Sequence, residues 1–245
     1  MAISTVIEHV QQHPGEDRVV ALAEATRLAN TRVIEEGTRN RKRRGMGSTF
    51  VALIRDGDGV GIVHVGDSRC YRVRNGDIAL LTQDHSLVNE YLRAMPDLTA
   101  AQRMELPRNV ITRALGMSDI VMVDLSSHPI EPGDVFVLCS DGLSGMISDA
   151  EILGTVRANR SADGACRALV ALANEHGGDD NITAVVVQLV DPDAPVTVPP
   201  ALEETQAVQL PPPREPDPDG PPAPRTNPDP VATPPPPPLA PGEAI

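Results

Sequence analysis

Two acidic motifs, Ser140-Asp141-Gly142 and Gly178-Asp179-Asp180-Asn181, stand at the ends of apolar runs. Residues 134–139 lead into Asp141, and residues 182–187 follow Asp180. If those runs are antiparallel neighbours, the exit of one strand meets the entry of the other, and the two carboxylates converge. Converging carboxylates repel one another unless a cation lies between them, and a hard divalent ion suits an oxygen-only donor set. A third acid, Asp84 in Asp84-His85-Ser86, follows another strand-like run. It reads as a helix N-cap, which does not exclude a metal role.

Other motifs have plainer readings. Asp67 and Arg69, in Val65-Gly66-Asp67-Ser68-Arg69, read as a structural ion pair fixing a chain reversal. Residues 56–67 imitate a calcium loop, but Val60 occupies its fifth position and Ile62, Val63 and Val65 are strand residues, so a hairpin turn fits better. Gly45-Met46-Gly47-Ser48-Thr49 lacks the Lys-Ser/Thr ending of a phosphate loop and marks a tight backbone entry. The histidines lack ligand spacing, and only His85 stands beside an acid in a loop. No Gly-x-Ser-x-Gly elbow supports a serine nucleophile.

These residues need a scaffold, and composition bounds it. Of the 25 prolines in the 245 residues, 20 lie in 191–245, with nine acidic residues and two arginines. That segment reads as a disordered, acidic, partly polyproline tail, leaving 1–190 as one domain. The net charge of -13 argues against general nucleic-acid binding. The exception is a basic run, Arg39, Arg41, Lys42, Arg43 and Arg44, which reads as a solvated loop or, alternatively, as a docking patch for an anionic partner. Cys70, Cys139 and Cys166 show no metal spacing, which suggests buried reduced thiols in a cytoplasmic protein. No apolar stretch is long enough to span a membrane.

Periodicity predicts helices over 2–12, without a capping residue, and 16–36, closed by Gly37. Strands follow over 49–55, 60–65, 69–73 and 77–82, with a hairpin at Asn75-Gly76. A polar helical stretch over 86–105, split at Pro96, precedes strands over 120–127 and 134–139. Ser148 and Glu151 form a capping box, residues 162–176 a helix and residues 182–190 the last strand. The order is α+β, with helices packed on antiparallel sheet.

Six motifs in order complete the pattern: Gly45–Thr49, Val65–Tyr71, Leu81–Ser86, Asn109–Gly116, Leu138–Leu143 and Gly177–Thr183. Together they resemble the metal-dependent Ser/Thr protein phosphatases, the PPM or type 2C family, in their bacterial form. The resemblance implies a four-layer αββα sandwich of two antiparallel sheets flanked by helices. It implies a binuclear Mn²⁺ or Mg²⁺ site that activates water for attack on phosphoserine and phosphothreonine. Asp141 and Asp180 match its metal ligands, and Asp84 matches the acid at a third, weaker site. Gly66 to Arg69 resembles a scaffold motif. Phosphoproteins, Ser/Thr kinases and their substrates are the implied partners, and the tail, at Pro234 to Pro238, is a candidate for proline-recognising domains.

The family's earlier block has no counterpart before residue 45. It holds a phosphate-gripping Arg, an Asn-Glu-Asp element and an Asp-Gly-x-Gly-Gly element. Met1 to Ile7 resembles the interior of the helix that follows it. The domain is therefore expected to be N-terminally truncated, with Met1 internal to a longer reading frame, or else the protein is genuinely short. Either way, little phosphatase activity and poor solubility are expected of these 245 residues. A catalytically degenerate, phosphatase-like binding module is the alternative reading.

Overall fold

Side chains alternate between two faces along each central strand, and here both faces are apolar. In β2 (Gly59–Val65), Val63 and Val65 join a cluster with Val19, Leu22 and Ala29, whereas Val60 and Ile62 join another with Cys70, Phe136 and Leu138. In β6 (Val135–Cys139), Phe136 and Leu138 belong to that second cluster, and Val137 and Cys139 to a third with Ile152 and Leu169. A strand buried on both faces must lie inside a stack of layers.

The computed structural model describes residues 1–99, 102, 106–107 and 110–190, so the reading of 191–245 lies outside the described residues. One sheet has the order β1-β2-β5, from Phe50–Asp56, Gly59–Val65 and Asp124–Pro129. The other has the order β4-β3-β6-β7, from Asp77–Leu80, Arg69–Arg74, Val135–Cys139 and Ala184–Gln188. All pairings are antiparallel. Helices α1 (Ala2–Gln12) and α2 (Arg18–Arg39) cover the first sheet. Helices α4 (Asp141–Ser144), α5 (Asp149–Ala158) and α6 (Ala162–Glu175) cover the second. Helix α3 (Leu87–Ala94) follows β4. The expected αββα sandwich is the observed one.

Local signals explain most boundaries. Asn75 and Gly76 both have positive φ, as a two-residue hairpin turn requires. Ser148 and Glu151 form the reciprocal capping box. Asp17 caps α2 by accepting from the amides of Val19 and Val20. Gly37, in contrast, does not end α2. The helix runs on to Arg39, and a Cβ at Gly37 would lie 3.2 Å from the Arg43 carbonyl oxygen, so this glycine lets the chain fold back over the helix.

A second close approach joins α2 to its sheet. A Cβ at Gly61 in β2 would collide with both γ-methyls of the buried Val19. Gly61→Ala is expected to destabilise the fold by about 1–3 kcal/mol, the usual cost of overpacking. A urea-melt midpoint equal to wild type would contradict this packing.

Among the described residues, β1 pairs only with β2, so its other edge is open. Beside it lies a cavity of about 430 Å³ lined by Ile3, Ile7 and Val10 of α1 and by residues 50–54 of β1. An open strand beside apolar side chains is an association hazard.

Candidate metal centre

The β6–β7 pairing brings the two acidic motifs together. Cys139 opposes Ala184, and the Ser140 amide donates to the Thr183 carbonyl at 3.1 Å. Ser140 Oγ then donates to the Asn181 carbonyl at 3.1 Å and accepts from the Thr183 amide at 3.0 Å. Contact is so close that a Cβ at Gly142 would stand 2.5 Å from the Asn181 carbonyl oxygen. Glycine is required there, and the junction carries Asp141 on one strand exit and Asp180 on the facing strand entry.

Both line one cavity of about 630 Å³, with Asp67, Asp84, Asp179, Arg69, Ser86 and Ile111 also in its wall. One oxygen of Asp141 accepts from the Gly142 amide at 2.9 Å, and one of Asp180 from the Asn181 amide at 2.6 Å. The second oxygen of each accepts no hydrogen bond from the described residues, which leaves it available to a cation.

Asp67 was not expected here. Its neighbour Arg69 pairs instead with Asp84, through Nε at 3.0 and 3.2 Å and Nη2 at 2.7 Å. A further Arg69 nitrogen donates to the Tyr71 hydroxyl at 3.0 Å. The supposed Asp67–Arg69 pair is therefore an Asp84–Arg69 pair, and Asp67 is released to the cavity. Burial raises the Asp67 carboxyl above its ordinary range, and the charges of Asp141 and Asp84 raise it further. That is the signature of negative charge awaiting a counterion.

Asp84 is not the cap of α3. Ser86 takes that role by accepting from the Asn89 amide, while the Asp84 carbonyl accepts from the Asn89 side chain. Asp84 does line the expected cavity, with both oxygens held by Arg69. A carboxylate has about four lone-pair sites, so capacity for a further contact remains.

Sequence spacing also missed a buried network behind the cavity wall. The rings of His64 and His85 stack with centroids 4.7 Å apart. His85 Nδ1 accepts from the Gly66 amide at 3.0 Å, and the His85 amide donates to the Gly66 carbonyl at 2.9 Å. That pattern assigns the His85 proton to Nε2, which lies 3.2 Å from Asp124, and Arg113 donates to Asp124 at 3.0 Å. Burial lowers the pKa of His85, so its ring is neutral at neutral pH despite Asp124.

His64, His85 and Asp124 are the one set of three such side chains, among the described residues, whose ligand atoms lie within 4.8 Å of each other. The set suits a metal poorly. Both His85 nitrogens are engaged, His64 Nε2 is held by the Gln83 carbonyl at 2.9 Å, and the Arg113 guanidinium sits against the group. We read it as a brace. It ties the end of β2 to the 84–86 loop, the two segments that carry Asp67 and Asp84 into the cavity wall. The cavity aspartates are more widely spaced, which suits hard ions that keep several waters. No cysteine reaches them: burial pushes the Cys70 and Cys139 thiols up to about 12.

Residues 3–182 match the protein phosphatase 2C family. The serine/threonine phosphatase stp of Listeria welshimeri is 40% identical over 145 residues, which cover 59% of this chain and 57% of that one. This chain thus spans little more than half of that relative. The serine/threonine protein phosphatase PstP of Mycobacterium tuberculosis is 32% identical over 199 residues, 81% of this chain and 38% of PstP. The solved catalytic domain of PstP, in complex with two manganese ions, superposes with a TM-score of 0.67 at 33% identity, covering 78% of this chain and 79% of that domain. The phosphatase of Streptococcus agalactiae gives 0.65 at 35% identity, covering 78% and 81%. Among the described residues, no helix is long and apolar enough to cross a membrane.

Proposed function

The chain belongs to the protein phosphatase 2C family, and from that premise we propose that it is a metal-dependent phosphatase acting on phosphoserine and phosphothreonine in proteins. The observation that carries the reading is the cavity itself, where five aspartates face one arginine already held by Asp84. Two Mn²⁺ or Mg²⁺ ions, when bound, would lower the pKa of a coordinated water and offset phosphoryl charge. Asp141 and Asp180 would hold them through their free oxygens, with Asp67 beside them. Asp84 would serve a third, weaker position while keeping Arg69 in the wall. The donor set is all oxygen, as these ions prefer.

In this reading Arg69 orients Asp84 rather than gripping phosphate. Among the described residues no other basic side chain lines the cavity, so the 245 residues are expected to turn over slowly, well below the about 10 s⁻¹ typical of enzymes. Phosphate release from a phosphothreonine peptide, with Mn²⁺ and with EDTA, tests the proposal. Slow release that EDTA abolishes supports it, and release indifferent to EDTA overturns it. Brisk Mn²⁺-dependent hydrolysis would refute the slow-turnover expectation alone.

The pinned arginine also favours a second reading, a degenerate phosphatase that binds partners without turnover. It predicts no Mn²⁺-dependent hydrolysis at all. Ser/Thr kinases and their substrates as partners, a cytoplasmic location and a tail that engages proline-recognising domains belong to the same proposal. The free thiols, of which Cys70 and Cys139 are buried and Cys166 is half-buried rather than buried as expected, support the location, and the run Pro234 to Pro238 supports the tail's role.

A further inference from the structure

The basic run between α2 and β1 is ordered and only partly neutralised. Asn40 caps a short turn at Arg41–Arg43, its side chain accepting from the Lys42 amide and its carbonyl from the Arg43 amide. The Met46 amide donates to the Arg43 carbonyl at 3.1 Å. Arg39 pairs with Glu35 at 3.4 Å and Arg43 with Glu36 at 2.8 Å. Among the described residues, Arg41, Lys42 and Arg44 form no ion pair, although the whole chain carries a net charge of -13. Arg41 and Arg44 line a groove of about 490 Å³ whose floor includes Val33, Ile34, Met46 and Gly116.

This groove lies at a bounded distance from the acidic cavity. One segment, 111–116, reaches both, with Ile111 in the cavity wall and Gly116 in the groove. Both ends are pinned. The Thr112 amide donates to the His85 carbonyl at 2.8 Å, Leu115 and Ser48 exchange amide–carbonyl bonds at 2.8 and 3.0 Å, and the Gly116 amide donates to the Asn30 side chain at 2.7 Å. Five residues fully extended span at most about 18 Å, so the groove lies within reach of an extended peptide whose phosphorylated residue occupies the cavity.

We propose that the Arg41–Arg44 groove docks an acidic segment of the substrate protein, within about five residues of the phosphorylated position. The substrate class is then a phosphoprotein with Asp, Glu or a second phosphate near its target residue. This rests on the phosphatase reading of the cavity. Arg41 and Arg44 supply the charge, beside the apolar side chains of Val33, Ile34 and Met46. An acidic cavity alone disfavours acidic flanking sequence, so a separate basic groove reconciles the two.

The test is binding in EDTA, which requires neither metal nor turnover. A fluorescein-labelled peptide carrying an Asp-Glu-Asp-Glu cluster is titrated with the 245-residue chain and followed by anisotropy. Arg41→Glu/Arg44→Glu is expected to weaken binding by about tenfold at about 0.1 M salt, with the difference collapsing near 1 M, where the Debye length falls to about 3 Å. Arg41→Lys/Arg44→Lys, which keeps the charge, should bind nearly as wild type, and thermal melts should match because neither arginine has an ion-pair partner among the described residues. Equal binding by the charge-reversed variant overturns the proposal. So does an oligouridylate that competes as well as the acidic peptide, which would make the groove a nucleic-acid site. Failure of Mn²⁺-dependent phosphate release with this binding intact would sink the phosphatase reading and leave the docking groove standing.

Discussion

Asp134→Ala is expected to lower the unfolding free energy by about 3 kcal/mol, the low end of the cost of stranding one partner of a buried ion pair. Asp134 opens the way into β6 and is 1% exposed. Its carboxylate accepts from Arg74 Nε and Nη2, both at 2.7 Å, and from the Glu131 amide at 3.0 Å. Arg74 comes from the end of β3, and it also reaches Glu131 at 2.6 Å and the Pro129 carbonyl at 2.9 Å. One carboxylate thus ties β3 to the turn before β6 and, through that turn, to the end of β5. The low end applies because the Arg74 side chain retains 19% exposure and keeps Glu131. Urea melts at neutral pH read the change, and a loss under about 1 kcal/mol, the worth of a surface pair, would show that water replaces the carboxylate.

The same residue has a pH signature. Burial raises the Asp134 carboxyl, but the Arg74 hydrogen bonds and the Glu131 amide outweigh burial and hold it below the usual carboxylate range. A folded-state value below the unfolded one means stability that is fully present above about pH 4 and is lost as pH falls through the folded value. The wild type should lose stability through that acid window, and the alanine variant should lose less.

Asp141→Asn is expected to remove the stabilisation that Mn²⁺ confers. At about a hundred times its dissociation constant, one bound ion stabilises the folded chain by about 2.7 kcal/mol. The wild type should show a shift of that order in Mn²⁺ relative to EDTA, and Asp141→Asn almost none. Asp124→Asn is the informative companion, because it alters the His64–His85–Asp124 group without removing any cavity carboxylate. If Asp124→Asn abolishes the shift and Asp141→Asn retains it, the ion belongs to the histidine group and the cavity assignment is wrong.

How much of this was legible in the sequence depends on the range of the interaction. The Asn75-Gly76 hairpin, the Ser148 capping box and the alternating strands are short-range, so residue order reveals them. The meeting of Asp141 and Asp180 needed one further assumption, that two apolar runs pair antiparallel, and they do. Asp67 was misassigned because proximity in sequence suggested a pair with Arg69. In a strand, however, a long side chain is free to reach across the sheet edge, and the Asp84 loop offered the better geometry. The brace of His64, His85, Arg113 and Asp124 draws on the β2–β5 pairing and the 110–116 segment. Nothing in local composition marks such a set. Gly37 misled for a related reason, since its use is set by the Arg43 carbonyl six residues on.

The Asp84–Arg69 pair has a consequence for the order of events. Because Asp84 takes the Nε–Nη2 edge of the Arg69 guanidinium and the Tyr71 hydroxyl takes its Nη1, Asp67, Asp141, Asp179 and Asp180 are left without an ion-pair partner among the described residues. An ion-free cavity of that charge repels a phosphate dianion. On the proposed phosphatase reading, recognition would be compulsory-ordered, with cations first and phosphorylated ligand second. The free concentration of divalent metal would then act as a permission signal that decides whether a phosphorylated side chain is admitted at all.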